Sequence, residues 1–307
     1  MDELDLRLLA TMGYVPWSPT ARDPDRLRPT RLADELDVTP ETVRDRLDDL
    51  EAAGVIQSWE VYPNPRHCGL ELGGWALQPA SRARVREELS ELLLLDGVLE
   101  VFTYRGPFVA LALAYADQAQ RDRRLRLVSG RLGDGQPVHV IDPPMPSVDR
   151  ELDGIDWRVI EALRGQARRP LSEVADRVDR SYRTVKRRFD RMSREGSLFV
   201  VPRVDLSRVA GLLPFTLVLT VSDPPAEMAE EARGVLGERV LHELVPPDEE
   251  ARMLVVGAWA ATVAEMEAVR EEVDELAGVE RARALLSAGR HATDWLDERI
   301  RARRTRA

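Results

Sequence analysis

Apolar residues recur at helical spacing in two stretches of this chain that lie 142 positions apart. In each stretch three apolar side chains fall at positions i, i+4 and i+7, which places them on one face of a helix. They are Val43, Leu47 and Leu50 in the first stretch and Val185, Phe189 and Met192 in the second. A capping residue precedes each helix, Thr39 or Ser181, and a glycine ends it, Gly54 or Gly196. The pattern indicates two copies of one helical module.

Each module is expected to contain three helices followed by a strand. In the first module the helices are Glu3–Met12, one from a Thr30 cap to Leu36 and one from a Thr39 cap to Gly54, and the strand is Ile56–Tyr62. In the second module the helices are Asp156–Arg164, Leu171–Val178 and Tyr182–Glu195, and the strand is Leu198–Val204. This order is typical of a winged helix-turn-helix, in which the strand belongs to the wing. A Pro/Arg/Asp-rich insert, Gly13–Pro29, occurs only in the first module.

Strands and helices alternate after each module. After the first, strands are expected at Leu70–Gln78, Val98–Tyr104, Phe108–Tyr115 and Val138–Ile141, with helices at Ser81–Leu95 and Asp117–Leu132. After the second, strands are expected at Leu213–Val221, Val240–Val245, Met253–Trp259 and Arg281–Leu286, with helices at Ala226–Leu236 and Ala261–Ala277. The resulting βαββαβ order is that of a ferredoxin-like domain.

The predicted fold class is therefore α+β, with two winged helix-turn-helix modules alternating with two βαββαβ ferredoxin-like domains. The predicted domains are residues 1–66, 67–145, 146–205 and 206–290, followed by a terminal helix and an Arg-rich tail at 291–307. The proline-rich segment Pro143–Ser147 has the composition of an interdomain linker. The terminal helix itself is expected at His291–Arg304.

Composition narrows the class of protein. The chain has 307 residues, a formal net charge of −10 and a single cysteine, Cys68, which excludes an internal disulfide and suits a reducing compartment. The longest apolar stretch, around Pro107–Ala116, is about half of the roughly 20 residues that a membrane helix needs. We therefore expect a cytoplasmic protein with no membrane partner. Gly-rich phosphate loops, Gly-x-Ser-x-Gly elbows and paired metal ligands are absent from the sequence, so neither an enzyme nor a cofactor or metal is expected.

The two modules differ sharply in charge. Residues 4–66 carry 8 arginines against 12 acidic residues, whereas residues 155–203 carry 13 basic residues against 7 acidic ones. The net charges are thus −4 and +6. Because DNA phosphates attract local positive charge, the second module is the expected DNA-binding one.

The last helix of the second module supplies the expected contacts. If Val185 points inward, the opposite face of the helix carries Arg183, Arg187, Asp190 and Arg194. We expect Arg183 and Arg187 to read bases, since a guanidinium can donate two hydrogen bonds to guanine. The residues expected at the helix start or on phosphates are Ser181, Tyr182, Lys186, Arg191 and Arg168. The alternative is that these charged side chains only keep an exposed helix face hydrated and contact no DNA.

The matching helix of the first module is acidic where the second is basic. Glu41 and Asp45 stand where the second module has Arg183 and Arg187. Carboxylates repel phosphates, so we interpret this helix as degenerate for DNA and as a packing or partner surface. Contact through the remaining arginines is the open alternative, namely through Arg22, Arg26, Arg28, Arg31, Arg44 and Arg46.

The order of these elements resembles that of the Lrp/AsnC (feast/famine) transcription regulators, here in tandem over nearly the whole chain. The segments that carry the resemblance are Leu4–Leu9, Leu32-Ala33, Thr42–Leu47 and Glu51–Ile56, with Ile155–Ile160, Val174-Ala175 and Thr184–Phe189 in the second half. The resemblance implies a sequence-specific regulator that binds double-stranded DNA. It also implies a small-molecule effector at a turn between the middle strands, where Arg105 and Gly106 are the candidates, unless Arg105 is only a solvated turn residue.

Two other functions stay open at this point. Proteins of this double architecture also resemble siroheme decarboxylases, whose family carries a His-Cys-Tyr-type segment on a middle strand. The strand Val98–Tyr104 has no histidine there, and the four histidines are scattered at His67, His139, His242 and His291. The third interpretation is a regulatory partner that does not bind DNA, in which the acidic first module covers the DNA-binding surface of a related protein.

The tandem arrangement has a mechanical consequence. In single-unit relatives two chains pair through their βαββαβ sheets. A chain with two such domains can make this pairing internally, so we expect an intramolecular pseudo-dimer with one basic and one acidic module. Two basic modules on a palindromic site then require self-association, through the ferredoxin-like domains or otherwise.

Overall fold

The computed structural model describes residues 1–14, 27–133, 137–142, 145–246 and 248–306. Most of the predicted insert, including Arg22 and Arg26, lies outside these ranges, as do Pro143 and Pro144 of the predicted linker. The chain divides into two units, each assembled from separate parts of the sequence. The first unit comprises Met1–Ala10, Leu72–Asp142 and Asp205–Thr293, and the second comprises Thr11–Glu71, Pro143–Val204 and Asp294–Ala307.

The first unit contains both βαββαβ domains. The first domain consists of β2 (Glu71–Leu77), α4 (Arg82–Leu93), β3 (Val98–Tyr104), β4 (Val109–Tyr115), α5 (Gln118–Leu132) and β5 (Val138–Ile141). The second consists of β7 (Leu213–Val221), α9 (Pro225–Leu236), β8 (Val240–Leu244), β9 (Met253–Ala260), α10 (Val263–Asp274) and β10 (Val279–Ala292). Ser81, Asp117 and Thr262 cap α4, α5 and α10 through their side-chain oxygens. The predicted α+β fold class is confirmed.

One continuous sheet of eight strands joins the two domains, in the order β5-β2-β4-β3-β10-β7-β9-β8. Each half of this order is the 4-1-3-2 arrangement of a ferredoxin-like sheet. The junction is the antiparallel pair of β3 with β10, whose register runs from Ser287 opposite Tyr104 to Ala292 opposite Glu100.

Two predictions, the end of strand β10 and the start of the terminal helix, were wrong. The strand was expected to end at Leu286, and His291 was expected to begin the terminal helix, but the strand continues to Ala292. Its first part, from Val279 to Leu286, pairs with β7, and its second part pairs with β3. The physical reason is that β3 lies at an edge of its own domain, so its backbone groups need a partner strand, which the extended β10 supplies.

Apolar side chains cover both faces of the sheet. On one face the helices of each domain enclose a separate core, with Leu92, Leu113 and Val128 in the first domain and Leu217, Leu254 and Val273 in the second. On the other face, side chains from both domains form a single cluster, namely Ala76, Phe108, Val140, Val218 and Val255. The expected internal pairing of the two ferredoxin-like domains is thereby confirmed.

The second unit contains both helix-turn-helix modules. Its helices are α2 (Pro29–Leu36) and α3 (Pro40–Ala52) in the first module, α6 (Gly154–Leu163), α7 (Leu171–Val178) and α8 (Tyr182–Arg194) in the second, and the terminal α11 (Trp295–Arg306). Its strands are β1 (Ile56–Pro63) and β6 (Leu198–Val204). The opening helix of the chain, α1 (Glu3–Met12), belongs to the first unit up to Ala10.

Four local predictions are corrected here. Helix α2 begins at Pro29 rather than after a Thr30 cap, because proline at the first helical position is already in helical conformation. Strands β1 and β6, expected as wings of separate modules, pair antiparallel with each other along their whole length. Phe189 is only half-buried, and Val185, Met192 and Ser193 form the buried face of α8. Helix α11 begins at Trp295, four residues later than expected. No helix within the described ranges is long and apolar enough to span a membrane.

The cluster between the two sheet halves predicts a large stability effect. Phe108 is 6% exposed in this cluster and makes an edge contact with Tyr104, with ring centroids 5.4 Å apart. We expect Phe108→Ala to lower the free energy of unfolding by about 3–5 kcal/mol, because it removes buried apolar surface and leaves a residual cavity. Urea denaturation would measure this loss of stability. Leu127→Ala is the control, because Leu127 is 52% exposed and its truncation removes little buried surface. A Phe108→Ala midpoint equal to that of the control would contradict the assigned inter-domain core.

Candidate nucleic-acid interface

The turn before α8 sets the position of its first residues. Helix α7 ends at Val178, and the capping residue that follows it, Asp179, adopts a left-handed conformation with φ 53°. The next helix is capped by Ser181, whose Oγ accepts a hydrogen bond from the Thr184 backbone N–H at 3.3 Å. Asp37 has the same conformation, φ 55°, at the equivalent place in the first module. Aspartate is among the few non-glycine residues that tolerate this region, so both tight turns follow from local sequence.

The outward face of α8 is basic and accessible. Arg183 and Arg187 are exposed, and no ion pair or side-chain hydrogen bond engages either one within the described part of the chain. Tyr182, at the first helical position, is 53% exposed. Lys186 is exposed too, and its Nζ lies 2.6 Å from Asp190 Oδ2. That hydrogen bond raises the pKa of Lys186, so the side chain stays charged.

A buried carboxylate holds the other side of α8. Asp156 of α6 has no exposed surface, and it accepts hydrogen bonds from Arg188 at 2.7 Å and from Arg191 at 2.9 Å. Arg150, which precedes α6, donates to the same carboxylate at 2.8 Å. Three guanidinium groups thus surround one carboxylate, and two of them belong to α8. Removing the charge of a buried group in such a cluster leaves the remaining charges uncompensated.

Asp153 extends this cluster to the start of α6. Its carboxylate accepts hydrogen bonds from the backbone N–H groups of Ile155 and Asp156, which caps the helix. It also accepts two bonds from Arg188 at 2.8 and 2.9 Å. Partial burial alone would raise the pKa of Asp153, but the hydrogen bonds from Arg188 and from the backbone outweigh it and lower the pKa. Helix α8 is therefore held to α6 by charge-assisted hydrogen bonds.

The structure separates the seven candidate residues into two groups. Ser181, Tyr182, Arg183, Lys186 and Arg187 lie together on the accessible start of α8. Arg191 instead binds Asp156, and it has a holding role in this structure. Arg168 binds Glu51 and lies over the Trp59 ring, with its guanidinium carbon 4.8 Å from the centroid. Both arginines were expected on DNA phosphates, and their partners could not be read from sequence because they lie far away along the chain.

The equivalent helix of the first module presents mostly acidic side chains. The residues exposed on α3 are Glu41, Arg44, Asp45, Asp48 and Asp49, together with Glu51 near its end. Of the other arginines considered there, exposed Arg28 lies close enough to Lys186 for its charge to oppose protonation of that amine. The positive potential around α8 therefore includes one residue of the first module.

The candidate effector turn is an exposed junction of two strands. The backbone N–H of Arg105 donates to the Leu286 carbonyl at 2.9 Å, and the Arg105 side chain is exposed. Gly106 is half-buried beside Leu285. The equivalent turn of the second ferredoxin-like domain, 245–250, is described except for Pro247. Among the described residues of these two turns, no buried side-chain N or O atom lacks a hydrogen-bond partner.

The four histidines lie in separate surroundings. His139 stacks on Trp75 at 5.2 Å, His242 lies across from Gly257, and His291 lies 3.4 Å from Thr103 Oγ1. His67 belongs to the other unit. Sequence reasoning missed the buried ion pair next to His291, in which Arg290 Nη2 and Glu100 Oε1 are 2.6 Å apart, because these residues are 190 positions apart. In the described ranges no three histidine, cysteine or acidic side chains are grouped for a metal.

Comparison with known proteins shows which type of helix-turn-helix domain the second module resembles. Residues 152–193, which include α6, α7 and most of α8, match the AsnC-type helix-turn-helix domain. No functionally curated protein matches the chain in sequence. With this module in its second half, the chain is a tandem of two helix-turn-helix and two ferredoxin-like parts.

Solved structures extend the likeness to the whole chain. The crystal structure of the siroheme decarboxylase NirDL matches with TM-score 0.55 and 17% identity, covering 98% of this chain and 99% of that one. The same enzyme in complex with an iron-uroporphyrin III analogue matches with TM-score 0.56 and 16% identity, again over 98% and 99%. The E. coli AsnC structure matches with TM-score 0.31 and 21% identity, over 48% of this chain and 97% of that one. At these identities the whole-chain likeness concerns the fold.

The Asp156 cluster generates a stability prediction. Asp156→Asn keeps the shape of the side chain but removes the charge that three guanidinium groups share, so we expect the free energy of unfolding to fall by about 3–5 kcal/mol. The exposed Asp176→Asn is the matched control, since the same chemical change there removes no buried partner. Denaturant unfolding followed by circular dichroism would compare the two. Equal midpoints for both variants would show that the cluster does not hold α8.

Proposed function

We propose that this chain is a sequence-specific transcription regulator that binds double-stranded DNA mainly through α8. The observation that carries the proposal is the pair of exposed arginines, Arg183 and Arg187, on a capped helix that is held from behind by Asp156. Four positions apart, they lie on the same helix face. In helix-turn-helix proteins the start of this helix enters the major groove.

Each exposed residue at the start of α8 has a distinct contact to make. Arg183 and Arg187 can each donate two parallel hydrogen bonds to the O6 and N7 atoms of a guanine. Lys186 suits a phosphate as a compact point charge. Ser181 and the free backbone N–H groups of the first turn also favour a phosphate. Tyr182 supplies an exposed ring that can pack on a sugar or a thymine methyl group.

The first module is proposed to contribute less to DNA binding than the second. Carboxylates of Glu41 and Asp45 occupy the exposed positions that match Arg183 and Arg187, and they would face phosphates unfavourably. One chain therefore offers one basic reading helix and should recognise an asymmetric half-site. A palindromic site requires two chains, with half-sites about one helical turn of DNA, or a multiple of it, apart.

The first prediction of this proposal concerns affinity and salt. Random duplex DNA should bind the protein with a steep salt dependence in fluorescence anisotropy. On random DNA, without the guanines they read, Arg183 and Arg187 contact phosphates, so Arg183→Ala/Arg187→Ala should weaken binding at least about tenfold. The salt slope should become shallower by roughly one for each phosphate that the variant no longer binds. The matched control is Arg123→Ala/Arg126→Ala, which removes the same charge from exposed positions on α5.

Two results would count against the proposal. An equal loss of affinity in the control would mean that total charge, rather than α8, governs binding. Absence of binding even at low salt would favour the tetrapyrrole-enzyme or the regulatory-partner interpretation, and tetrapyrrole binding would then be measured.

The second prediction concerns the base sequence. Four residues of helix advance about 6 Å, and base pairs are spaced about 3.4 Å apart, so Arg183 and Arg187 reach bases roughly two steps apart. Selection from a random duplex library should therefore enrich two guanines separated by about one base pair. Arg183→Gln should remove one guanine preference, whereas Lys186→Gln should weaken all sequences alike. The idea fails if the enriched motif lacks guanines or is unchanged by Arg183→Gln.

A further inference from the structure

The helix-turn-helix unit contains a cavity of about 380 Å³ whose lining includes no residue of α8. Three separated stretches of chain form its walls: the short 3-10 helix Pro65–Cys68, the segment before and into α6, and α11. The side chains that matter most are Arg66, His67, Arg150, Leu152, Trp157 and Arg303. The volume lies within the range of small-molecule sites.

His67 brings an unused polar atom to this cavity. Its Nε2 is buried and has no hydrogen-bond partner among the described residues. The imidazole contacts the Trp157 indole edge-on, with ring centroids 6.4 Å apart. Burial first, and the charge of Arg150 second, lower the pKa of His67 to about 4, so the ring is neutral near pH 7. Buried polar atoms in proteins are nearly always hydrogen-bonded, so this unpaired nitrogen of a cavity-lining ring needs a partner that the described residues do not supply.

The three arginines of the cavity differ in how many of their guanidinium N–H groups already donate hydrogen bonds. Arg66 is the most engaged, because its Nε and Nη2 donate to Glu71 at 3.1 Å and its Nη1 donates to the Met145 carbonyl at 2.8 Å. Arg150 uses Nη2 on Asp156. Arg303 bonds the Cys68 side chain. Arg150 and Arg303 therefore retain guanidinium N–H groups for an anion.

The rest of the lining limits which anion fits. Asp149 and Glu151 are exposed beside Arg150, and their negative charges disfavour a ligand with more than one negative charge. Leu152 and Trp157 are 7% and 3% exposed and provide an apolar wall. A single carboxylate matches two guanidinium groups, and an apolar or aromatic body matches the wall.

We propose that this cavity binds a small monocarboxylate with an apolar or aromatic body. Its carboxylate accepts hydrogen bonds from Arg150 and Arg303, and its body packs against Trp157 and Leu152. A small rotation of the His67 ring exposes the buried Nε2, whose proton is then donated to an oxygen of the ligand. Because Arg150 also binds Asp156, the ligand and the Asp156 cluster share one guanidinium.

Benzoate is the probe that tests this site. In the wild type, benzoate titration should shift the ring Cε1–H resonance of His67 saturably in proton NMR, and His67→Asn identifies that resonance among four histidines. Arg303→Gln should weaken benzoate binding about tenfold, because it removes a charged hydrogen-bond donor. Arg194→Gln, which removes an equal charge from an exposed position on α8, should leave the titration unchanged.

Benzamide and benzylamine separate charge recognition from simple filling of an apolar space. Both carry the same ring, and neither carries a carboxylate, so neither should shift His67 at the concentrations where benzoate saturates. The proposal is overturned if benzoate causes no saturable shift, if benzamide causes an equal one, or if Arg303→Gln, folded by circular dichroism, binds benzoate like the wild type. No DNA enters this experiment, so its outcome is independent of the proposed function.

Discussion

An edge strand leaves backbone N–H and C=O groups without partners, and this constraint shapes both units of the molecule. In the first unit the edge strand β3 is satisfied by the far end of β10. In the second unit β1 and β6, each the only strand of its module in the described ranges, satisfy each other. In both pairs the two strands come from different halves of the chain. One polypeptide thereby supplies the pairing for which two copies would otherwise be needed.

Internal pairing frees the two halves to diverge. In a symmetric pair of identical chains every residue occurs twice, so a substitution in the last helix of the helix-turn-helix appears in both copies. Here the second half keeps arginines on the exposed face of α8, whereas α3 carries carboxylates at the matching positions. The same divergence appears on the inner side, where Arg191 binds Asp156 and the matching position of the first half is the exposed Asp49. The charge contrast follows naturally from the tandem arrangement.

Local signals made most of the fold predictable from sequence, and distant contacts account for the rest. Caps such as Ser81, Asp117 and Ser181 and the spacing of apolar residues placed the helices to within about one to three residues of their ends, apart from α11. The extension of β10 was missed because it depends on an edge strand that lies almost 190 positions earlier. The exposed part of the candidate site was predictable, since it belongs to one helix. The partners of Arg191 and Arg168 and the cavity around His67 were not, since each joins separated stretches of chain.

Function in this fold depends on which side chains the scaffold carries, since a fold by itself does not determine a function. In this chain the relevant charges converge on Asp156. Its carboxylate links α8, through Arg188 and Arg191, to Arg150 at the cavity. A ligand carboxylate on the remaining N–H groups of Arg150 would share that guanidinium charge with Asp156. If occupancy of the cavity alters what α8 binds, reciprocity requires that a molecule bound to α8 alter the affinity of the cavity by the same factor. The buried aspartate is the group that contacts both the inner arginines of α8 and the arginine at the cavity.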